Sequence, residues 1–208
     1  MGMNRPRLAL CIAIAGWVVV SAGEVRTEGI EKPLPSVPPE EYALFDAVVE
    51  SKFLTSRTEL VVIERQTATR LAPDDEAPPT EALFEERRIF GGRLPRALVS
   101  DLLFKMQRPS RLEGRFTFRA KVRFTSGGIL EEPMVLRFWR PARPVQEAPR
   151  TIGVLSFSRA AFTPRENQGL VYVAEERADG TGAGMLVWLF RRGTVWSVGD
   201  TDVLWVAR

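Results

Sequence analysis

Leu170-Val171-Tyr172-Val173-Ala174-Glu175-Glu176 opens the stretch whose reading decides the fold. After a turn the chain continues as Met185-Leu186-Val187-Trp188-Leu189-Phe190, then Thr194-Val195-Trp196-Ser197-Val198, then Val203-Leu204-Trp205-Val206. β-Branched and aromatic residues dominate each run, and Gly- and Asp-containing segments separate them. Such side chains suit a pleated, half-buried surface, so the stretch predicts an antiparallel meander. Asp200 and Asp202 fall between the last two runs and read as a turn, where Asp is favoured for its local hydrogen bonds. Asp179-Gly180-Thr181-Gly182-Ala183-Gly184 resembles a phosphate-binding loop in composition only. It leads into a strand-like run instead of a helix and carries no Lys-Ser/Thr pair. It reads as a hairpin turn whose glycines adopt positive φ or let a tryptophan cross closely.

Moving outward, Ile152 to Ser158 is a further strand. Arg115 to Phe124 is the most regular stretch of the chain: Phe116, Phe118, Ala120, Val122 and Phe124 alternate with Arg115, Thr117, Arg119, Lys121 and Arg123. Period two predicts a strand with an apolar face on the core and four cations on the other face. Arg115, Arg119, Lys121 and Arg123 are therefore the candidate binding residues, for an anionic polymer or lipid headgroup. A neighbouring acidic strand residue such as Glu175 is the alternative neutralising partner. The aromatics point away from the cations, which argues against single-stranded nucleic acid. Ser126-Gly127-Gly128 then turns the chain, Pro133 to Trp139 reads as the returning strand, and Arg140 to Pro149 reads as an exposed Pro/Arg connector.

Toward the N-terminus, Thr58 to Ala68 reads as a strand with a short buried run, Leu60-Val61-Val62-Ile63. Glu64, at its end, stands where catalytic carboxylates sometimes sit; a solvated or Arg-paired side chain is the plainer reading. Tyr42, Phe45, Val48, Val49 and Phe53 recur at helical spacing behind Pro38-Pro39 and the first-turn acids Glu40 and Glu41. Glu81 to Arg88 forms a short helix broken by Gly91-Gly92, and Pro95 opens another that runs through Met106. Ala72 to Thr80 is an acidic, Pro-rich loop; Asp74, Asp75 and Glu76 lack the alternation and turn glycine of an EF-hand.

The first residues have the layout of a secretory signal: Arg5 and Arg7, an apolar run from Leu8 to Val20, and small residues at Ser21-Ala22. The run is shorter than the ~20 residues of a membrane span. Residues 1–22 are thus expected to be a signal peptide, 23–39 a Pro-rich leader, and 40–208 one α+β domain, exported to the periplasm or beyond. Whether the signal is cleaved or kept as an anchor is left open. Cleavage would remove two of the 29 basic residues and none of the 26 acidic ones. The pI of 9.4 then belongs partly to the signal and does not indicate nucleic acid.

Two absences limit the chemistry. The one cysteine, Cys11, lies in the signal, so the remaining chain holds no disulfide. There is no histidine, which excludes Ser-His-Asp and Cys-His catalysis and His-ligated zinc. Acid–base work would fall to carboxylates, Lys or Tyr. Asp200 and Asp202 suit a turn better than the carboxyl pair of a glycosidase. Ser156 and Ser158 would need a Lys base, and no sequence link ties Lys105 or Lys121 to them. No motif implies a cofactor or a metal.

The string Phe157-Ser158-Arg159, Phe162, Leu170 to Val173, Gly182-x-Gly184, Trp196-x-Val198 and Trp205-Val206 resembles an uncharacterised group of secreted bacterial proteins. The resemblance covers about a quarter of the chain and implies kinship without an activity. The helix-first, sheet-last order, closing on Trp-x-Val, is also similar to nuclear-transport-factor-2-like folds, cone-shaped α+β domains with a pocket between sheet and helices. This chain differs in placing a strand, Thr58 to Ala68, between its helices.

The sequence therefore predicts an α+β domain: a mostly antiparallel sheet of about six strands packed by two or three helices. The expected function is non-enzymatic binding of a protein or small-molecule ligand outside the cytoplasm. The alternatives are a carboxylate-dependent hydrolase and an anion binder acting through the basic strand.

Overall fold

The computed structural model describes residues 33–131 and 151–208. The expected signal, the first part of the leader, the strand Pro133 to Trp139 and the Pro/Arg connector lie outside those residues. Among the described residues, three helices pack on a mixed eight-stranded sheet, so the class is α+β with more strands than expected. In chain order these are α1 (Pro39–Lys52), β1 (Leu60–Glu64), α2 (Glu81–Glu86), a 3₁₀ turn (Ile89–Gly92) and α3 (Arg96–Lys105). Then come β2 (Lys121–Ser126), β3 (Ile129–Leu130), β4 (Thr151–Phe157), β5 (Ala161–Phe162), β6 (Gln168–Glu176), β7 (Gly182–Arg192) and β8 (Val195–Ala207). The strands lie in the order β3-β2-β1-β4-β6-β7-β8, with β5 beside β6.

The expected meander forms the right half of the sheet. β6 and β7 pair from Gln168↔Phe190 to Glu176↔Gly182, and β8 pairs along β7. The left half differs from expectation because β1 pairs parallel with both neighbours, β2 (Val62↔Arg123) and β4 (Val62↔Val154). The physical cause is legible afterwards. Leu60 to Ile63 is a continuous apolar run, as suits a strand covered on both faces, and the link to β2 is long enough for a crossover through α2 and α3.

Alternate residues of each strand serve two separate cores. Val61, Ile63, Phe124, Leu155, Phe157, Val171, Val173, Val187 and Leu189 pack with Tyr42, Phe45, Val48 and Val49 of α1. Leu170, Tyr172, Ala174, Leu186 and Trp188 pack instead with Leu98, Leu102, Leu103 and Met106 of α3 and its flank. These are called the α1 face and the α3 face below. Helix α1 starts with Pro39 at its first position, carries Glu40 and Glu41 in the first turn and ends on Lys52, in keeping with its dipole. It sits so close to the sheet that a Cβ at Gly169 would collide with Leu44.

Two expectations are corrected. The basic stretch is strand only from Lys121; residues 115–120 are irregular. The backbone of Thr117 donates to the Asp46 carboxylate of α1 (3.1 Å and 3.2 Å), so α1, not a sheet neighbour, holds this segment. Burial still alternates along it, with Phe118 and Ala120 buried and Arg115, Thr117 and Arg119 exposed. Second, Asp200 and Asp202 do not form a turn: β8 runs unbroken for 13 residues. Its pairing with β7 skips one residue at Gly199 and one at Leu204, two β-bulges that turn the strand without ending it. After Gly199 the side chains change face, bringing both aspartates to the α3 face opposite Trp188 and Leu186. No helix among the described residues is long and apolar enough to cross a membrane.

Candidate ligand cleft

The four expected binding cations do not share one strand face. Lys121 and Arg123 project from the α3 face of β2, since Val122 and Phe124 face α1. Arg115 and Arg119 lie in the irregular segment before it, and Arg119 donates to the Thr55 carbonyl at the end of the α1 region. All four are exposed. Glu175 does not neutralise them: β1 and β4 intervene, and Glu175 bonds Arg177 (3.0 Å) and the Gly153 N–H (3.2 Å).

On the α3 face the carboxyl ends of the three parallel strands open into a cleft of about 450 Å³, which none of the four cations lines. Glu64 and Gln66 line it at the end of β1, Gly127 at the end of β2 and Ser156 near the end of β4. Tyr172, Ala174 and Glu176 of β6, which alternation puts on one face, form the far side of the floor. Ala68, Arg70, Ala72 and Pro73 make the outer wall. That wall is built. Ala68 N–H donates to the Phe157 carbonyl (2.7 Å), Thr67 exchanges bonds with Ser110, and the Asp75 carboxylate accepts from Leu71 and Ala72 N–H (3.2 Å and 2.9 Å).

The polar groups of the cleft differ in how they are held. The Glu64 carboxylate accepts from the Gly127 N–H at 3.2 Å. Among the described residues no Lys or Arg pairs with Glu64 or Glu176. The Tyr172 hydroxyl accepts from the Trp205 indole N–H at 2.9 Å, and burial pushes its pKa up to about 12. It is a neutral hydrogen-bonding group across the physiological range. Arg70 is exposed at the rim.

The other sequence candidates have structural duties. Asp202 accepts from the Phe90 N–H (2.6 Å) and Asp200 from Arg93 (2.8 Å), fastening the 3₁₀ turn to β8. That turn holds Arg88 and Phe90 at positive φ, a conformation a bulky residue keeps only where neighbours enforce it. Glu64 is four strands away from both aspartates, so the three do not converge. Asp179 accepts from Thr181 N–H and Oγ1, which holds its carboxyl below the usual range, and Gly180 takes φ +83° in a plain hairpin turn. Ser158 is bonded within the sheet, donating to the Arg159 carbonyl and accepting from Tyr172 N–H. No group of three or more Asp or Glu among the described residues is arranged to hold a metal ion.

The serine–arginine step leads to the strongest buried electrostatic feature. Glu41, 1% exposed, accepts from Arg159 Nε and Nη2 and from the Ala160 N–H (2.8 Å). Arg159 Nη1 reaches Ser110 (3.2 Å), and Lys105 completes the network through Asp101 and the Ala160 carbonyl (2.8 Å each). The network joins α1, α3 and the β4–β5 link.

Sequence reasoning singled out Glu64 and Ser156 but not Gln66, Arg70, Tyr172 or Glu176 as neighbours. The available signal was the period-two set 172, 174, 176. The missing one was the parallel pairing of β1 with β4, which brings that set beside Glu64. No family model, curated protein or solved structure matches the chain.

Proposed function

We propose that the chain is an exported, non-enzymatic binding domain that holds a small polar molecule in the cleft at the carboxyl ends of β1, β2 and β4. The observation that carries this reading is the convergence of Glu64, Gln66, Ser156, Tyr172 and Glu176 on one cleft of about 450 Å³. Open sheets with parallel strands receive ligands in the crevice beyond the carboxyl ends. A concave site with a few placed polar groups is the usual form of a small-molecule pocket. Donors come from Ser156, Gln66, Arg70 and Tyr172, and acceptors from the two carboxylates. Export rests on the basic and apolar start of the chain.

Binding is favoured over catalysis because the hydroxyls that line the cleft, those of Thr67, Thr69, Ser156 and Tyr172, have no lysine among the lining residues to act as base. The hydrolase reading draws on one observation, that Glu64 and Glu176 line the same cleft. The test is native mass spectrometry of the full chain purified from its host. A copurified small molecule is expected, and Gln66→Trp, which fills the cleft from an exposed position, should release it. A chain that carries nothing, or a Gln66→Trp variant that keeps its ligand, would reject the cleft.

A further inference from the structure

A second cleft lies where the start of α1, the end of α3, the β5 region and the adjoining ends of β7 and β8 meet. It has a volume of about 350 Å³ and shares no lining residue with the first. We propose that it binds a neutral, hydroxyl-rich ring such as a sugar.

The argument starts from charge. Lys105, Arg159 and Arg191 line the cleft together with Glu40, Glu41 and Glu166. The two inner cations already face carboxylates: Arg159 is bound to Glu41, and Lys105 to Asp101 at 2.8 Å. At the mouth, Arg191 stands 3.8 Å from Glu166. A charged guest would leave one sign uncompensated at the bottom of such a site, where the side chains of Glu41, Arg159 and Lys105 are at most 18% exposed. A neutral guest avoids that penalty.

Hydrogen-bonding capacity narrows the class further. An ammonium offers three N–H donors and a guanidinium five. Lys105 places donors on Asp101 and the Ala160 carbonyl, and Arg159 places Nε, Nη1 and Nη2 on Glu41 and Ser110. Each retains N–H groups beyond those bonds, while the Glu40 and Glu166 carboxylates at the rim can only accept. A wall of mixed donors and acceptors is met by hydroxyls, each of which does both.

The remaining surface is apolar and partly aromatic. The rings of Phe162 and Trp196 lie 5.8 Å apart at 58°, and Pro38 and Pro164 line the same cleft. They suit the C–H face of a saturated ring. Lys105 Nζ lies over the Phe162 ring at 5.0 Å and the Arg191 guanidinium over that of Trp196 at 5.5 Å, so a guest takes the Trp196 face by displacing Arg191. Arg191 and Glu166 are both solvent-accessible, and their pair can open to admit a guest.

The experiment is isothermal titration calorimetry of the full chain with three neutral trisaccharides: maltotriose, cellotriose and N-acetylated chitotriose. A heparin tetrasaccharide serves as the anionic comparison. At least one neutral sugar is expected to bind, with a Kd that changes less than about twofold when salt is raised from about 50 to about 500 mM. Trp196→Ala should weaken binding roughly tenfold. Because Trp196 also packs on the core, Glu40→Gln, at an exposed position in the first turn of α1, provides a second variant and should weaken binding several-fold without unfolding. Gln66→Trp, at an exposed lining position of the first cleft, should leave sugar binding intact, which separates this site from that one. Binding of none of the neutral sugars, binding of heparin alone, full affinity in both cleft variants, or loss of sugar binding in Gln66→Trp would each overturn the proposal.

Discussion

The indole of Trp205 occupies the space that any side chain at position 184 would need, and from there its N–H reaches the Tyr172 hydroxyl. Gly184 is thus a packing requirement of β7, not a device for backbone freedom. Gly184→Ala should lower stability by about 1–3 kcal/mol, read from the midpoint of a urea melt, since the indole can yield only by leaving its hydrogen bond. The same contact makes Tyr172 a usable probe. The chain has two tyrosines, and burial raises the pKa of both, Tyr172 to about 12. In the folded state the neutral phenol is favoured, so the contribution of Tyr172 to stability is complete below its unfolded value of 10.0 and is lost as pH rises toward about 12. Absorbance at the phenolate band should show little ionisation at pH 10 in the native chain and about half in urea. Half-ionisation of both tyrosines in the native chain would contradict the buried geometry.

At the scale of elements, the central question is what seats α1 on the sheet. Its apolar stripe supplies the area, but orientation comes from Glu41, whose carboxylate ties the first turn of the helix to Arg159, Ala160 and, at 4.0 Å, Lys105. Removing one partner of a buried pair leaves the other charge uncompensated. Glu41→Ala is expected to lose about 3–5 kcal/mol, whereas replacing a solvated first-turn acid normally changes stability by less than about 1 kcal/mol. Equal chemical-denaturation midpoints for Glu41→Ala and Glu40→Ala would refute that role. The difference between these neighbours was not legible in the sequence, where both are first-turn acids. By contrast, the helical stripe Tyr42, Phe45, Val48, Val49 and the unbroken β-branched and aromatic runs of β6 and β7 were legible, because both are local signals: a stripe marks a helix with a buried face, and a continuous apolar run suits a strand covered on both faces. Residues 115–120 show the limit of that reasoning. Alternating burial was correctly indicated, but a strand also needs a partner for its backbone, and there α1 supplied Asp46 instead. β8 shows another limit, since a bulge at Gly199 leaves no more trace in composition than a turn does.

At the scale of the whole molecule, the fold class followed from counting elements, and the cleft did not, because it depends on which strands are neighbours. Glu64 and Glu176 are more than a hundred residues apart and meet on one cleft only because β4 lies between β1 and β6. The central position of β1 has a consequence for the order of assembly. Its two partners, at Lys121 and Thr151, follow far along the chain, while β6 pairs with β7 and β7 with β8, each its immediate successor. Contacts between distant segments form late, since the intervening loop must first be closed. A chain emerging N-terminus first therefore presents Leu60-Val61-Val62-Ile63 with both edges unsatisfied until β2 has appeared, and with one edge still open until β4 follows, nearly three-quarters of the way along the polypeptide. During that interval this four-residue run is the segment most in need of a chaperone.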